Sequence, residues 1–178
     1  MFLELVRKRR SIRRYSDRPV EPEKLDTLIE AALRSPSSIA RKPWEFILVR
    51  DPALLDQLSR AKQHGSSFLR YASAGIVVCA DPMKSDVWVE DASIACIMIL
   101  LAAESLGLGG CWVQMRERNH SDSKTAGAYV REVLSIPERL KVQAIMSIGY
   151  PADHKEPHPM EDLLFDRVNK DQYGTAYR

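Results

Sequence analysis

The stretch from Trp88 to Leu106 constrains the fold more than any other part of the chain, because it is apolar on nearly every face. Its length and composition predict one long helix, and a helix that is apolar all round is normally buried. Small residues such as Ala95 and Ala103 allow neighbouring elements to approach it closely. A domain of this size has few places for such a helix. The sequence therefore predicts that one side of the helix packs on a sheet and the other on a second subunit.

Length and composition narrow the class of protein. The chain has 178 residues and a net charge of +2, which suits one domain covering residues 1–178. Its three cysteines lie in apolar segments and form no C-x-x-C pair, so we expect neither a disulfide framework nor a metal site, and a reducing, cytoplasmic location. The first residues lack the apolar segment of a secretion signal. The longest apolar run, Ile94 to Ala103, is about half the roughly 20 residues that a bilayer span needs, so we expect no membrane partner.

A dense basic run lies near the amino terminus, from Arg7 to Tyr15, with six cations in nine residues. Guanidinium groups offer paired donors that match phosphate oxygens, and the Ser11 hydroxyl adds a short neutral donor. The run therefore predicts a site for an anion such as phosphate. The alternative is a solvated basic helix end, because charge runs usually face water. Nucleic-acid binding is not expected, since it needs a broader basic face with interleaved aromatic residues.

Periodicity and turn signals predict helices and strands that mix without regular alternation. Helices are predicted from Met1 to about Arg10, from Pro22 to before Pro36, from Pro52 through Leu58, from Trp88 to Leu106, and from Lys124 to Leu134. Strands are predicted at Glu45 to Val49, Ile76 to Ala80, Cys111 to Gln114, and Val142 to Ile148. This mixture favours an α+β or mixed α/β sheet covered by helices.

Two connections have distinctive composition. The segment from Ser35 to Trp44 has two prolines, three serines and no periodicity, so it is predicted to be a loop, and loops of this kind often carry function. Gly107 predicts a left-handed helix stop, and we interpret Gly109 and Gly110 likewise as turn residues. These glycines do not form the dinucleotide fingerprint G-x-G-x-x-G, which follows a strand and opens a helix, so a Rossmann domain is not supported.

Four separated segments of the sequence resemble the nitroreductase family of flavin enzymes. They are Arg9 to Tyr15, Ser35 to Phe46, Ala102 to Trp112, and Gly149 to His158. The resemblance covers essentially the whole chain in the right order. It implies a nitroreductase-like α+β fold, with a central mixed, mainly antiparallel sheet flanked by helices. It also implies an intertwined homodimer that holds one FMN per subunit in a cleft at the dimer interface.

The resemblance also implies roles for particular residues. The family's contacts to the phosphate and ribityl groups correspond to Arg9, Arg10, Ser11 and Arg13. These residues belong to the basic run, for which side-chain chemistry alone predicts an anion site. A basic residue near the carboxyl terminus that contacts the phosphate in the family corresponds to Lys155. His158 corresponds to such a contact less firmly, and the alternative is that it is an ordinary surface residue.

Further correspondences concern the flavin ring. The loop that the neighbouring subunit lays along the ring corresponds to Pro36, Ser37 and Ser38. Val113 and Gln114 correspond to the residues whose main-chain groups, in the family, point at the N5 atom and the carbonyl edge of the flavin. Many relatives have Asn and Gln where this chain has Ala40 and Lys42, which weakens inference of the substrate. If Lys42 points into the cleft it favours an anionic substrate or the phosphates of a nicotinamide donor, and if it points outward it is simply solvated.

The function implied by the resemblance is that of an FMN-dependent oxidoreductase. Electrons would pass from NADH or NADPH through the flavin N5 to a nitroaromatic, a quinone or a similar small acceptor, by a ping-pong mechanism. Because the cofactor carries the chemistry, we nominate no catalytic side chain. Two alternatives stay open. One is another flavin reaction on the same fold, such as reductive dehalogenation, flavin fragmentation or small-molecule dehydrogenation. The other is a flavin-binding module without turnover.

Overall fold

The computed structural model describes residues 2–178, and helices cover both faces of a central sheet. The helices are α1 (Phe2–Lys8), α2 (Pro22–Leu33), α3 (Pro52–Ser59), α4 (Trp88–Ser105) and α5 (Ala126–Val133). The strands are β1 (Trp44–Val49), β2 (Ala74–Ala80), β3 (Gly109–Gln114), β4 (Asn119–Ser121), β5 (Lys124–Thr125) and β6 (Lys141–Gly149). None of the helices within residues 2–178 has the length and hydrophobicity of a membrane span.

The central sheet has four strands in the order β1-β2-β6-β3, and each neighbouring pair is antiparallel. This confirms the α+β prediction. The predicted parallel component is limited to an isolated bridge between Ser11 and Gly110. The strand order leaves β3 at one edge of the sheet, and the basic run approaches that edge.

The two faces of the sheet support separate hydrophobic cores, and β2 contributes to both. Ile76 and Val78 belong to the core under α2 and α4, whereas Val77 and Cys79 belong to the core under α3 and α5. Every residue of β2 is buried, as expected for a strand covered on both faces. The three cysteines are free and buried.

Helix α4 is buried on the side that faces the sheet. Cys96, Ile99 and Ala103 are fully buried there, which confirms the first half of the prediction for this helix. On the opposite side Ile94 and Ile97 are 40% and 47% exposed. The structure contains one chain, so packing of this outer side on a second subunit stays a prediction.

The segment after β3 differs from the sequence prediction. No element is predicted between the strand at Cys111 to Gln114 and the helix from Lys124, but the structure has β4 there, which pairs with β5 in a two-stranded ribbon. Helix α5 consequently begins at Ala126 rather than Lys124, and the Thr125 hydroxyl caps it by accepting from the main-chain N–H of Ala128 at 3.2 Å. Strands of two or three residues are too short to produce an alternating pattern that sequence reasoning can recognise.

Candidate functional site

The basic run leaves α1 and lies against the first residues of the edge strand β3. The main-chain N–H of Ile12 donates to the Gly110 carbonyl at 3.0 Å. A Cβ atom added to Gly109 would lie 2.7 Å from the Cβ atom of Ile12, so only glycine permits this approach. Interpretation as a turn residue is therefore correct for Gly107, which has φ +71°, and wrong for Gly109, which is needed for close packing.

Residues from the two ends of the chain converge at this point. The Lys155 amine donates to the Ser11 carbonyl at 3.1 Å, and the Arg13 guanidinium lies 5.9 Å from the centre of the Phe68 ring. Burial raises the pKa of the Cys111 thiol in β3, whereas Arg13, Ser11 and Lys155 act on that thiol in the opposite direction. The fold thus gathers two cations and a hydroxyl at the start of β3.

Another arginine of the run, Arg10, contacts the C-terminal segment. Its guanidinium donates to the Glu156 carbonyl, and it lines a cavity of about 550 Å³ together with Lys8 and Lys155. Glu104 and the segment 107–109 line the same cavity. The predicted phosphate-binding residues therefore share one neighbourhood. Arg9 is half-buried at the end of α1.

The other end of β3 presents main-chain groups at the sheet edge. The Gly110 carbonyl faces the basic run. In an antiparallel ladder the main-chain groups of successive residues point to alternate sides of the strand. The main-chain groups of Trp112 and Gln114 therefore also point away from the sheet, whereas those of Val113 point to Ile145 in β6. The indole N–H of Trp112 donates to the Gln114 side chain at 2.7 Å. From Gly110 to Gln114 the strand rises about 14 Å. Polar edge groups thus lie one strand length from the cationic cluster.

The structure does not bring the predicted loop residues into this cluster within one chain. The main-chain N–H of Ser38 donates to Asp91 at 2.8 Å, near the start of α4. The cavity beside the basic run includes Glu104, near the end of the same helix, and these two positions are about 20 Å apart along its axis. Pro36, Ser37 and Ser38 lie at the Asp91 end.

His158 follows Pro157, which lines the cavity beside the basic run. Its side chain is exposed, and its Nδ1 atom lies 3.8 Å from a carboxylate oxygen of Asp162. The site role predicted for His158 stays a prediction.

The loop that contains Ser38 is strained and firmly held. Ile39, Ala40 and Lys42 have φ angles of 40°, 59° and 46°, a left-handed region that side chains with a Cβ rarely adopt. The Ser37 hydroxyl accepts from the main-chain N–H of Lys42 at 2.9 Å, which closes the loop on itself. The Ile39 side chain is 80% exposed. Strain of this kind concentrates in segments with a functional task.

Sequence reasoning missed the residues that flank this neighbourhood after α3. Burial, followed by the nearby Arg118 guanidinium, lowers the pKa of Lys62, while Cys111 acts on it in the opposite direction. Lys62 and Arg118 also line one small cavity. No pattern could have marked Lys62, because its segment has no periodicity and its relation to β3 arises only from the fold.

Comparisons with known proteins agree with this architecture. The sequence profile of the Nitroreductase family matches residues 6–67 and 65–150. A protein of Archaeoglobus fulgidus, provisionally named NADH dehydrogenase/NAD(P)H nitroreductase, is 40% identical, over 96% of this chain and 98% of its own. The NADPH-flavin oxidoreductase of Vibrio harveyi is 27% identical, over 88% of this chain and 68% of its own.

A solved structure gives the same result for the fold. The FMN-dependent nitroreductase of Clostridium difficile R20291 is 44% identical and superposes with a TM-score of 0.95, covering 96% of this chain and 99% of that one. The matched residues contain the basic run, the strained loop and the edge strand β3. This chain belongs to the nitroreductase family.

Proposed function

We propose that this protein is an FMN-dependent oxidoreductase that passes electrons from NADH or NADPH to a small acceptor such as a nitroaromatic or a quinone. The observation that carries the proposal is the convergence of Ser11, Arg13 and Lys155 at the start of the edge strand β3. Family membership supports it, as do relatives named FMN-dependent nitroreductase and NADPH-flavin oxidoreductase. Residues 1–178 would form one FMN-binding domain.

The residues present fit an FMN molecule. Arg9, Ser11, Arg13 and Lys155 supply the charge-assisted donors that a phosphate requires. The outer edge of β3 supplies main-chain donors and acceptors for the heteroatoms of a flavin ring, and Gln114 is well placed for this because its main chain faces outward. The distance of about 14 Å along the strand separates the two groups of contacts, so an extended ligand is required.

The chain's own residues would bind and orient the reactants. The FMN held by these residues would supply the hydride chemistry of its N5 atom, which would link NADH or NADPH to the second substrate in a ping-pong cycle. Lys62 and Arg118, which line one small cavity, would add positive charge beside the bound cofactor, because cations stabilise nearby negative charge. The hydrogen bond between Trp112 and Gln114 would keep the end of β3 rigid. No side chain is assigned a nucleophilic or metal-binding role.

We also propose a homodimer in which each subunit completes the other's site. The apolar outer side of α4 supports this, as does α1, whose Phe2 and Leu3 side chains are 64% and 63% exposed. A partner would place Pro36, Ser37 and Ser38 beside the flavin, since within one chain they lie at the far end of α4. We expect a cytoplasmic protein without nucleic-acid or membrane partners.

The proposal is tested by purification, absorbance spectroscopy and anaerobic titration with NADH and NADPH. A flavin spectrum that bleaches on titration is the expected result. Arg13→Gln should weaken FMN binding, whereas Arg34→Gln, which removes an exposed arginine paired with Glu30 on α2, should not. A protein that has no flavin spectrum and consumes no NAD(P)H after FMN is added would contradict the proposal.

A second candidate keeps the fold and FMN but changes the reaction. Ala40 and Lys42 depart from the usual pattern of the strained loop, which supports a changed reaction. The Lys42 side chain is exposed in the single chain, and it would favour an anionic substrate only if the dimer cleft encloses it. Such a function would be reductive dehalogenation, flavin fragmentation or dehydrogenation of a small molecule. It is favoured over the first candidate if the protein retains FMN but neither NADH nor NADPH reduces it. Retention of FMN with no electron transfer to any acceptor would instead indicate a binding module.

A further inference from the structure

A buried pair of hydroxyl groups connects the basic run to the centre of the sheet. Tyr15 is 8% exposed and Ser147, in β6, is fully buried. The Tyr15 hydroxyl oxygen lies 2.7 Å from the Ile12 carbonyl oxygen and 2.6 Å from the Ser147 Oγ atom. Ser147 Oγ is in turn 3.3 Å from the Cys111 carbonyl oxygen of β3. A single chain of polar contacts therefore joins the run to β6 and β3.

The number of hydroxyl protons determines which group donates in each of these hydrogen bonds. The Ile12 carbonyl can only accept, so the single Tyr15 proton serves that contact and Ser147 donates to the Tyr15 oxygen. The longer contact from Ser147 to Cys111 is then secondary. Burial raises the pKa of the Tyr15 hydroxyl, so it stays protonated at ordinary pH. The shortest contacts thus hold Tyr15 to Ile12 and Ser147 to Tyr15.

The Tyr15 ring is fixed by close packing as well. A Cβ atom added to Gly149 would lie 2.7 Å from the Cδ1 atom of the ring, so the ring rests directly on the main chain of β6. Tyr15 also forms a bridge with Pro151. Because the hydroxyl bonds back to Ile12, three residues earlier, it closes a small loop that contains Arg13.

We propose that Tyr15 and Ser147 form a latch that positions the Ser11–Arg13 segment for the phosphate group of the cofactor. They act through the main chain of Ile12 and do not touch the ligand, so they are positioning residues. The inference rests on the proposed function, because it concerns the same site. Its specific consequence is that the latch governs affinity for the phosphate of the ligand and not for the flavin ring.

Tyr15→Phe tests the latch, since it removes one oxygen and leaves the ring packing intact. FMN and riboflavin are titrated into the apoprotein, and binding is followed by quenching of flavin fluorescence. The dissociation constant for FMN should rise about tenfold, the effect of losing one buried hydrogen bond. Riboflavin lacks the phosphate, so its dissociation constant should not change. Equal weakening of both ligands, or an unchanged FMN constant, would overturn the latch.

Tyr129→Phe is the matched control. It removes another tyrosine hydroxyl that donates to a main-chain carbonyl, that of Gln57 at 3.1 Å, in a part of the chain away from the basic run. It should leave FMN affinity unchanged. Ser147→Ala should weaken FMN binding less than Tyr15→Phe, because Tyr15 can still donate to Ile12, and it carries the test if Tyr15→Phe does not fold.

Two further outcomes separate the hypotheses. Losses that add independently in the double variant would overturn the coupled latch, because residues in one hydrogen-bond chain are expected to be non-additive. A wild-type protein that binds neither flavin refutes the proposed function. A wild-type protein that binds FMN no better than Tyr15→Phe refutes only the latch.

Discussion

Gly109→Ala should damage the site by pushing the basic run off β3. The new Cβ atom would lie 2.7–2.8 Å from three atoms of Ile12, namely Cβ, Cγ1 and Cγ2. Carbon atoms pack at about 3.5–4.0 Å, so the two residues must separate by roughly 1 Å. Rotation of the side chain cannot relieve the clash, because the Ile12 Cβ atom is bonded directly to the main chain. The Ser11–Arg13 segment must therefore move.

The expected cost follows from this overpacking. Forcing an extra carbon into a packed contact costs about 1–3 kcal/mol, and the movement strains the hydrogen bond from Ile12 to Gly110, now 3.0 Å long. In a chain of this size each kcal/mol lowers the melting temperature by roughly 2–4 °C. Gly109 does not have a positive φ, so the effect is steric and not conformational. FMN affinity should fall as well, since Ser11 and Arg13 are displaced.

Gly127→Ala provides the control for Gly109→Ala. Gly127 lies inside α5, and its nearest non-helical neighbour would be an ordinary 3.9 Å from the new Cβ atom. Alanine there should stabilise the helix by about 0.5–1 kcal/mol and leave FMN binding unchanged. Urea unfolding of both apoproteins and FMN titrations measure the two effects. If Gly109→Ala unfolds and binds FMN like the wild type, the close approach of the basic run to β3 is not what forms the site.

Three further predictions concern other parts of the chain. A hydrogen bond from Tyr150, followed by contacts from the main chain and Arg18, lowers the pKa of Glu21 from 4.5 to about 2. The ionised Glu21 should therefore stabilise the fold fully above pH 4.5 and lose this effect as the pH falls towards 2. The difference in unfolding free energy between wild type and Glu21→Gln should vanish over that range. Burial raises the pKa of the Cys79 thiol to about 12 and also raises the pKa of the Cys96 and Cys111 thiols. A thiol reagent at pH 8 should therefore label none of the three cysteines in the native protein and all three after denaturation. Asp91→Ala should leave two donors unpaired, the main-chain N–H of Ser38 and the hydroxyl of Ser85. Each should lower the unfolding free energy measured in urea by about 1–3 kcal/mol. Asp86→Ala, which removes an exposed carboxylate, should lower it by at most about 1 kcal/mol.

Elements with a strong local signal could be predicted from the sequence. Helix α4 begins at the predicted residue, Trp88, and ends at Ser105, one residue before the predicted end. The apolar run from Ile76 to Ala80 likewise predicted a strand, and the structure has β2 at Ala74–Ala80. These predictions succeeded because the burial of such segments leaves a continuous apolar pattern in the residues themselves.

Contacts between distant residues could not be predicted in this way. Tyr15 and Ser147 are 132 positions apart, and nothing local to either indicates the other. Gly109 was interpreted as a turn residue because its need for space arises from Ile12, which belongs to another segment. Lys62 was missed for the same reason. A compact motif such as the basic run can be nominated for the candidate site from the sequence, whereas single residues that the fold brings to it cannot.

The contacts that hold the basic run leave its charge available for the anion that we propose it binds. Arg10 donates to a main-chain carbonyl of the C-terminal segment, and Lys155 of that segment donates to a main-chain carbonyl of the run. A carbonyl oxygen satisfies such a donor without cancelling its charge, whereas a carboxylate would neutralise it. The ion pair between Arg14 and Asp153 is 3.7 Å long and the Arg14 side chain is 78% exposed, so it offsets little of the charge. The segment is therefore positioned by neutral acceptors, and its positive charge remains available to a phosphate.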